Sequence, residues 1–303
     1  ATSTNLKEVD VAFDGKVDKA TATDKANYTV DAGSRAVKSV TLLEDGKTVR
    51  VLLDTTSKGR FSQGTTYKVA VKNVKADNGT VLPQGEVSFT SSDNTLPTVT
   101  EVKALGTKVI KVTFSEPIKT PTSSNFQLDD KAYVGSVTLG ANEREVILRD
   151  YTGTIAEGAH KLTTSLVEDY AGLKSLSATT DFTAAVDNEG PKVTEITATL
   201  EKVTVTFDEE IDPQALTSES FYWLSGTTKK TGKATQISGN VYEVDFTENR
   251  LPGYETTLYV DVKDYSGNAN STKEHKVTAS VDLVQPKLID ASYGTEVANQ
   301  LTV

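Results

Sequence analysis

The residues of this 303-residue chain that are best suited to chemistry are its carboxylates, which recur at a regular spacing. Three linkers with the pattern Asp-x-x-x-Pro begin at Asp93, Asp187 and Asp282, so they lie 94 and 95 residues apart. A Glu shortly after a Phe, and an Asp in a loop that ends in Gly, keep the same period. A catalytic carboxylate pair would be expected once in a chain, whereas this set recurs from repeat to repeat. The pattern therefore favours a structural or metal-binding role for these acids.

Other catalytic chemistry has little support in the sequence. The two histidines, His160 and His275, lie in different repeats and within predicted strands, where exposed strand positions explain them. The chain has no cysteine, which excludes disulfides, thiol nucleophiles and cysteine-based zinc sites. It also lacks the HExxH, phosphate-loop and GxSxG motifs. We predict that the chain is not an enzyme and that it has no catalytic residues.

The composition narrows the class of protein further. The chain has 32 Lys and Arg against 42 Asp and Glu, a formal charge of −10. This balance argues against a nucleic-acid partner, because binding to phosphates needs an excess of basic side chains. No apolar run approaches the roughly 18–20 residues of a membrane span, so no membrane insertion is expected. Thr and Val are abundant, and β-branched residues favour strands.

Alternation of apolar and polar residues predicts short strands along each repeat. In the third repeat the predicted strands are 202–207, 221–224, 241–246, 257–262 and 275–278. About seven short strands in a repeat of about 94 residues are typical of an immunoglobulin-like (Ig-like) antiparallel β-sandwich. The aromatic run 221–223 (FYW) is expected in the core, and a sugar-stacking surface is the alternative. The predicted fold class is therefore all-β, a tandem array of Ig-like sandwiches.

The period also predicts the domain limits. Three Ig-like domains, which we call units 1, 2 and 3, are expected over residues 1–92, 93–186 and 187–281. The segment 282–303 repeats a linker and a first strand, so it is expected to be the start of a truncated fourth domain. Two strands without their sheet are unstable alone. We therefore expect this chain to be a fragment of a longer array.

Three motifs carry a family resemblance. The segments 112–118 (VTFSEPI) and 205–213 (VTFDEEIDP), together with 262–268 (VKDYSGN), resemble the signature of bacterial Ig-like repeats. Tandem arrays of these repeats are similar to those of Bacillus-type surface-layer (S-layer) proteins. Unit 1 departs from the pattern, because its segment 13–18 (FDGKVD) lacks the Glu-Pro step.

This resemblance implies a structural S-layer segment whose Ig-like domains self-assemble into a two-dimensional lattice. It implies an extracellular location at the bacterial cell surface, with lattice neighbours as partners. It also implies attachment to the cell wall through regions outside this segment. An adhesin stalk, a cell-wall-associated binding module and the spacer of a secreted hydrolase are the alternatives, because the same repeats occur in such proteins.

The expected sandwich geometry brings the recurring acids together. In an Ig-like sandwich, the entry of the first strand and the B–C and F–G loops lie at one pole. The carboxylates predicted to meet are Asp93, Glu116 and Asp169 at the first junction, and Asp187, Glu209 and Asp264 at the second, with Glu189 and Glu210 in reserve. Several hard oxygen ligands from loops suit Ca²⁺, and the resemblance to S-layer arrays also implies calcium. The alternative is that these acids are solvated turn residues. The N-terminal pole of unit 1 is expected to bind calcium weakly or not at all.

Overall fold

The computed structural model describes residues 1–54, 58–151 and 153–280, and two short paired strands, Ser292–Tyr293 and Leu301–Thr302. Apart from that pair, the described strands form six antiparallel sheets, two in each successive unit. The prediction of an all-β chain of tandem sandwiches is confirmed. The predicted limits at residues 92 and 186 fall between the sheet pairs, whereas the limit at residue 281 and most of the segment 282–303 lie outside the described residues.

In its described residues, unit 1 has six strands, one short α-helix and two 3-10 helices, Lys25–Asn27 and Asp31–Gly33. The strands are β1 (Glu8–Ala12), β2 (Tyr28–Val30), β3 (Val37–Leu42), β4 (Thr48–Leu53), β5 (Thr66–Val71) and β6 (Gly85–Thr90). They form sheets of order β1-β4-β3 and β2-β5-β6. Helix α1 (Lys19–Ala22) follows β1, and the Asp18 side chain caps it by accepting a hydrogen bond from the Thr21 N–H group.

Units 2 and 3 share one arrangement of eight strands. The strands of unit 2 are β7 (Val99–Leu105), β8 (Val109–Phe114), β9 (Phe126–Leu128), β10 (Lys131–Ala132), β11 (Gly135–Leu139), β12 (Glu145–Asp150), β13 (Gly158–Thr164) and β14 (Ala178–Ala184). The strands of unit 3 are β15 (Val193–Ala198), β16 (Lys202–Phe207), β17 (Phe221–Ser225), β18 (Thr228–Thr231), β19 (Lys233–Ser238), β20 (Val241–Asp245), β21 (Thr256–Val260) and β22 (Glu274–Val277). The sheet orders are β11-β12-β8-β7 and β10-β9-β13-β14, and correspondingly β15-β16-β20-β19 and β18-β17-β21-β22.

Period-2 burial builds each core between the two sheets. On β16, Val203, Val205 and Phe207 are buried, and the residues between them are partly exposed. Trp223 of the aromatic run is buried in the same core, and its indole N–H donates a hydrogen bond of 2.8 Å to the Asn249 carbonyl oxygen. Both histidines lie on strands, as expected. In the part of the chain described, no helix has the length and apolar character needed to cross a membrane.

Backbone pairing shows which positions are equivalent between units. The equivalent bridges join Val17 to Ala76, Ile118 to Asp169 and Ile211 to Asp264. The units also contact one another through charged side chains. These interunit pairs include Lys7–Glu143 and Arg144–Glu8 between units 1 and 2, Lys111–Glu210 and Arg149–Asp212 between units 2 and 3, and Lys202–Asp24 between units 1 and 3. The poles that carry the predicted acids therefore lie at packed junctions.

Candidate metal centres

The first junction brings Asp93, Glu116 and Asp169 into one cluster, the first cluster. Each contributes a carboxylate oxygen, and these oxygens lie within 4.8 Å of one another. Asp93 belongs to the linker after β6, Glu116 follows β8, and Asp169 lies in the loop between β13 and β14. Their exposed fractions are 4 %, 5 % and 0 %. Three loops thus converge on one water-excluded point.

Local hydrogen bonds hold these carboxylates in place. Asp169 Oδ1 accepts the N–H groups of Ala171 (2.8 Å) and Leu173 (2.9 Å), which closes the loop around the aspartate. The Thr95 hydroxyl donates to Glu116 Oε1 at 3.4 Å. The Thr95 N–H group donates to Asp93 Oδ1, also at 3.4 Å, so each acid has one oxygen oriented by the chain.

The remaining oxygens of the first cluster have no such partner. Asp93 Oδ2, Glu116 Oε2 and Asp169 Oδ2 are buried and accept no hydrogen bond from the described residues. Buried polar atoms are normally satisfied, so three unpartnered oxygens at one point form an unusual concentration of negative charge. Burial, reinforced by Asp93 and then Asp169, raises the pKa of Glu116 to about 8. Burial and Asp169 also raise the pKa of Asp93.

The second junction brings Asp187, Glu209 and Asp264 together in the same way, as the second cluster. One oxygen from each again lies within 4.8 Å of the others, but only Asp264 is buried. Burial, together with Asp187 and Asp264, raises the pKa of Glu209 to about 7. The sequence-predicted sets thus converge in the structure at both junctions.

A side-chain amide distinguishes the second cluster from the first. Asn268 Nδ2 donates to Asp264 Oδ2 at 2.9 Å and to the Asp187 carbonyl oxygen at 3.0 Å. The Asn268 N–H group donates to Asp264 Oδ1 at 2.8 Å, as the Leu173 N–H group does to Asp169. Leu173 therefore occupies the equivalent position in the first cluster, where it offers no side-chain donor.

The two reserve acids lie outside the second cluster. Glu189 is exposed and pairs with Lys192 at 3.0 Å. Glu210 turns toward unit 2, where its carboxylate contacts Lys111 and lies 3.3 Å from Lys103. Although burial alone would raise it, Lys111 holds the pKa of Glu210 below its usual value.

Unit 1 has no equivalent acidic set among the described residues. The bridge from Val17 to Ala76 places Ala76 at the position of Asp169 and Gly15 at that of Glu116. Asp77, which begins a loop that ends in Gly79, lies one residue beyond the position of Asp169. The turn hydrogen bonds from Gly79 to Ala76 and from Gly172 to Asp169 give the same register.

Sequence reasoning missed the tyrosines that follow the cluster aspartates. Tyr170 packs on the core of unit 1, and its hydroxyl donates to Glu143 Oε2 at 2.7 Å. Tyr265 packs against Leu105, Val109 and Ile147 of unit 2. The repeated Asp-Tyr pair was the available signal, but it does not show that the ring contacts the preceding unit.

Comparison with known proteins gives relatives from bacterial cell surfaces. The chain is 44 % identical over 290 residues to a Surface-layer 125 kDa protein of Lysinibacillus sphaericus, which covers 94 % of this chain and 24 % of that protein. It is 32 % identical over 304 residues to an Outer cell wall protein of Brevibacillus brevis, which covers 97 % of this chain and 29 % of that protein. The predicted resemblance to S-layer proteins of Bacillus-type bacteria is confirmed, and the chain spans about a quarter of the length of these relatives.

More distant likeness is found among solved structures. Domains 1–6 of surface layer protein SbsC align with 97 % of this chain and 55 % of that chain, with a TM-score of 0.28 and 16 % identity. Fibronectin(III)-like modules of Clostridium thermocellum CbhA cover 61 % of this chain and 94 % of theirs, with a TM-score of 0.20 and 16 % identity. No family model matches the chain.

Proposed function

We propose that this chain is a non-catalytic, structural segment of a bacterial surface layer whose junctions are stiffened by Ca²⁺. The observation that supports cation binding is the first cluster, in which three buried carboxylates each have one oxygen without a partner among the described residues. A divalent cation would supply the missing partner for all three oxygens at once and remove their mutual repulsion. The surface-layer role is supported by the two relatives, whose names describe surface-layer and outer cell wall proteins.

The donor chemistry supports calcium over a transition metal. Both clusters offer carboxylate oxygens, and Asp93, Glu116 and Asp169 would hold one ion while Asp187, Glu209 and Asp264 would hold the other. Ca²⁺ prefers several oxygen ligands in flexible geometry, whereas zinc sites are usually built from His and Cys. The chain has no Cys, and neither cluster contains a His.

Stiff junctions would serve a lattice. Each copy in a two-dimensional array makes several weak contacts, and these reinforce one another only if the array is rigid enough to engage them together. We propose other copies of the protein as the partners of this segment, with the cell wall contacted by regions outside it. The proposed location is extracellular, at the cell surface.

Calorimetric titration with CaCl₂ tests the cation directly. Wild type is expected to bind two Ca²⁺, whereas Glu116→Gln and Glu209→Gln should each lose one binding event. Glu157→Gln, which changes an exposed carboxylate of unit 2, is the matched control. Wild-type heats no larger than those of a protein-free blank would reject the calcium sites.

Electron microscopy of the longer protein tests the surface-layer role separately. Ordered two-dimensional sheets are expected with Ca²⁺, and their loss is expected with a chelator. A protein that binds Ca²⁺ but never forms sheets would support the junction sites and reject the lattice role.

A further inference from the structure

The turn between β11 and β12 of unit 2 carries a glutamate where glycine would be expected. Glu143 has a backbone φ of +58°, in the left-handed region that disfavours residues with a Cβ atom. Its equivalents are Gly46, which has a φ of +68°, and Gly239, as the matching turn hydrogen bonds to Val17, Ile118 and Ile211 show. A strained backbone at a site where both neighbouring repeats use glycine points to a role for the side chain.

The Glu143 side chain inserts between unit 1 and unit 2. Its Oε1 lies 2.8 Å from Lys38 Nζ and its Oε2 lies 3.1 Å from Lys7 Nζ, both in unit 1. The Tyr170 hydroxyl donates to Oε2 at 2.7 Å, and the Lys7 ammonium lies 4.7 Å from the Tyr170 ring centroid. Glu143 and Lys7 are each only 1 % exposed. Both carboxylate oxygens are thus paired with groups across or beside the junction.

The next residue makes a second, oppositely charged contact. Arg144 Nε donates to Glu8 Oε1 at 3.1 Å, and its Nη2 donates to Glu8 Oε2. Glu8 is buried and also accepts the Asn5 side-chain amide at 3.0 Å. On the turn, the acidic Glu143 is followed by the basic Arg144. Opposite them, the basic Lys7 is followed by the acidic Glu8 at the start of β1.

The other units do not repeat this strand pair. Counting back from the equivalent Phe13, Phe114 and Phe207, the positions of Lys7-Glu8 hold Lys108-Val109 in unit 2 and Glu201-Lys202 in unit 3. Unit 2 thus lacks the acid, and unit 3 carries the two charges in reverse order. In unit 3 these residues pair instead with Arg250 and with Asp24 of unit 1.

We propose that Glu143-Arg144 and Lys7-Glu8 form a charge code by which unit 2 recognises unit 1 and sets its angle, without a metal ion. Buried ion pairs add little net stability but penalise wrong partners strongly, because a mismatched partner leaves a charge buried and unpaired. Docking of unit 2 on a unit 3 would bring like charges together at Glu201-Lys202, and docking on another unit 2 would leave Arg144 opposite Val109 without an acid. The code acts beside the proposed calcium site and does not depend on it.

Spin labels on the full chain test the code in the presence of a chelator, so that calcium plays no part. Because the chain has no Cys, labels at Lys72→Cys and Lys131→Cys report only on the angle between units 1 and 2. Labels at Lys131→Cys and Thr227→Cys report on units 2 and 3 as the control. All three label positions are exposed and lie outside the turn between β11 and β12.

The expected results separate recognition from folding. Glu143→Lys, and separately Lys7→Glu with Lys38→Glu, should broaden the distance distribution between units 1 and 2 and leave the control distance unchanged. Combining all three substitutions should narrow the distribution again. Glu143→Gly, which relieves the strained backbone, should broaden it while far-UV circular dichroism stays that of wild type. A distribution that stays narrow in the reversals, or stays broad in the combined variant, would overturn the proposal.

Discussion

Each of the two junctions brings three equivalent carboxylates together, but their surroundings differ. In the first cluster all three are buried, and each keeps an oxygen without a partner among the described residues. In the second cluster Asp187 and Glu209 are partly exposed, and Asn268 donates to Asp264. If the clusters bind Ca²⁺ as proposed, one ligand set would serve at two levels of dependence on the cation, because the Asn268 amide would take part of the cation's role in the second cluster.

The two junctions also share a contact between one buried glutamate and two lysines, which we call the lysine clamp, but its glutamate comes from a different position in each. At each, a buried glutamate of the later unit lies between two lysines of the earlier one. Glu143 does so from a turn, with Lys7 and Lys38. Glu210 does so from the residue after a cluster acid, with Lys111 and Lys103. A repeat protein can therefore vary the position of a clamp while keeping its chemistry.

The largest effect is expected from breaking the clamp at the second junction with Glu210→Gln. Lys111 is buried, and without the Glu210 carboxylate its nearest acids are Glu101 at 3.6 Å and Glu145 at 3.9 Å. Removing one partner of a buried ion pair typically destabilises a protein by about 3 kcal/mol or more. Thermal unfolding with chelator should show the loss in the transition that contains units 2 and 3.

The control for this prediction is Glu219→Gln, which breaks the exposed pair with Lys229 and should change stability by less than about 1 kcal/mol. The pH dependence has a definite sign. The pKa of Glu210 is lowered in the folded chain, so its stabilisation is present above the ordinary carboxylate range and is lost as pH falls through the folded value. If the difference in stability between Glu210→Gln and wild type does not decrease at acidic pH, the proposed pairing of Glu210 with Lys111 is contradicted.

The next largest effect is the pH dependence of the first cluster without a divalent cation. The pKa of Glu116 rises from 4.5 to about 8 in the folded chain, chiefly through burial and then through Asp93 and Asp169. A carboxyl group with a raised folded pKa contributes stability that is fully present below 4.5 and is lost as pH rises through about 8. One pKa unit corresponds to about 1.4 kcal/mol, so the loss by neutral pH is on the order of 2 to 3 kcal/mol.

Calcium and Glu116→Gln should both remove this pH dependence, for different reasons. At a hundredfold excess over Kd, a bound cation stabilises the folded chain by about 2.7 kcal/mol, and it does so most effectively where the carboxylates are ionised. Glu116→Gln removes the titrating group and with it the calcium response of the first cluster, while the second cluster keeps its own. The measurement is the melting temperature across neutral pH, with calcium and with chelator. A wild-type curve that chelation leaves unchanged would count against the cation.

These contrasts show what sequence could and could not supply. The sequence predicts that Asp93, Glu116 and Asp169 meet, because strand periodicity indicates a sandwich and the loops that carry these acids lie at one end of such a sandwich. The clamps at Glu143 and Glu210 could not be predicted, because they depend on how one unit lies against the next, and no periodicity encodes that angle. The loop glycines Gly79 and Gly172 place Ala76 opposite Asp169, and the backbone bridges agree, so Asp77 lies one residue beyond the position of the cluster acid.

A smaller effect is expected from exchanging the residues that distinguish the clusters. Asn268→Leu removes the amide from Asp264 Oδ2 and from the Asp187 carbonyl oxygen, and should make the second junction more dependent on calcium by about 1 kcal/mol for each lost hydrogen bond. Leu173→Asn should reduce the dependence of the first junction by a similar amount. The measurement is the calcium-induced shift in melting temperature of each variant. Equal shifts in both variants and wild type would show that the amide does not matter.

The smallest effect is expected at the N-terminal pole of unit 1. Gly15 and Ala76 occupy the positions of Glu116 and Asp169, so neither of these acids is present at this pole. Gly15 is exposed, and a Cβ atom there would meet nothing within 4 Å, so Gly15→Glu should fold without strain. A lone exposed carboxylate stays hydrated and offers a cation no second ligand, whereas Ca²⁺ takes about six to eight oxygens. Calorimetric titration of Gly15→Glu should therefore give the two binding events of wild type, and a third event would show that a single acid suffices to build a site at this pole.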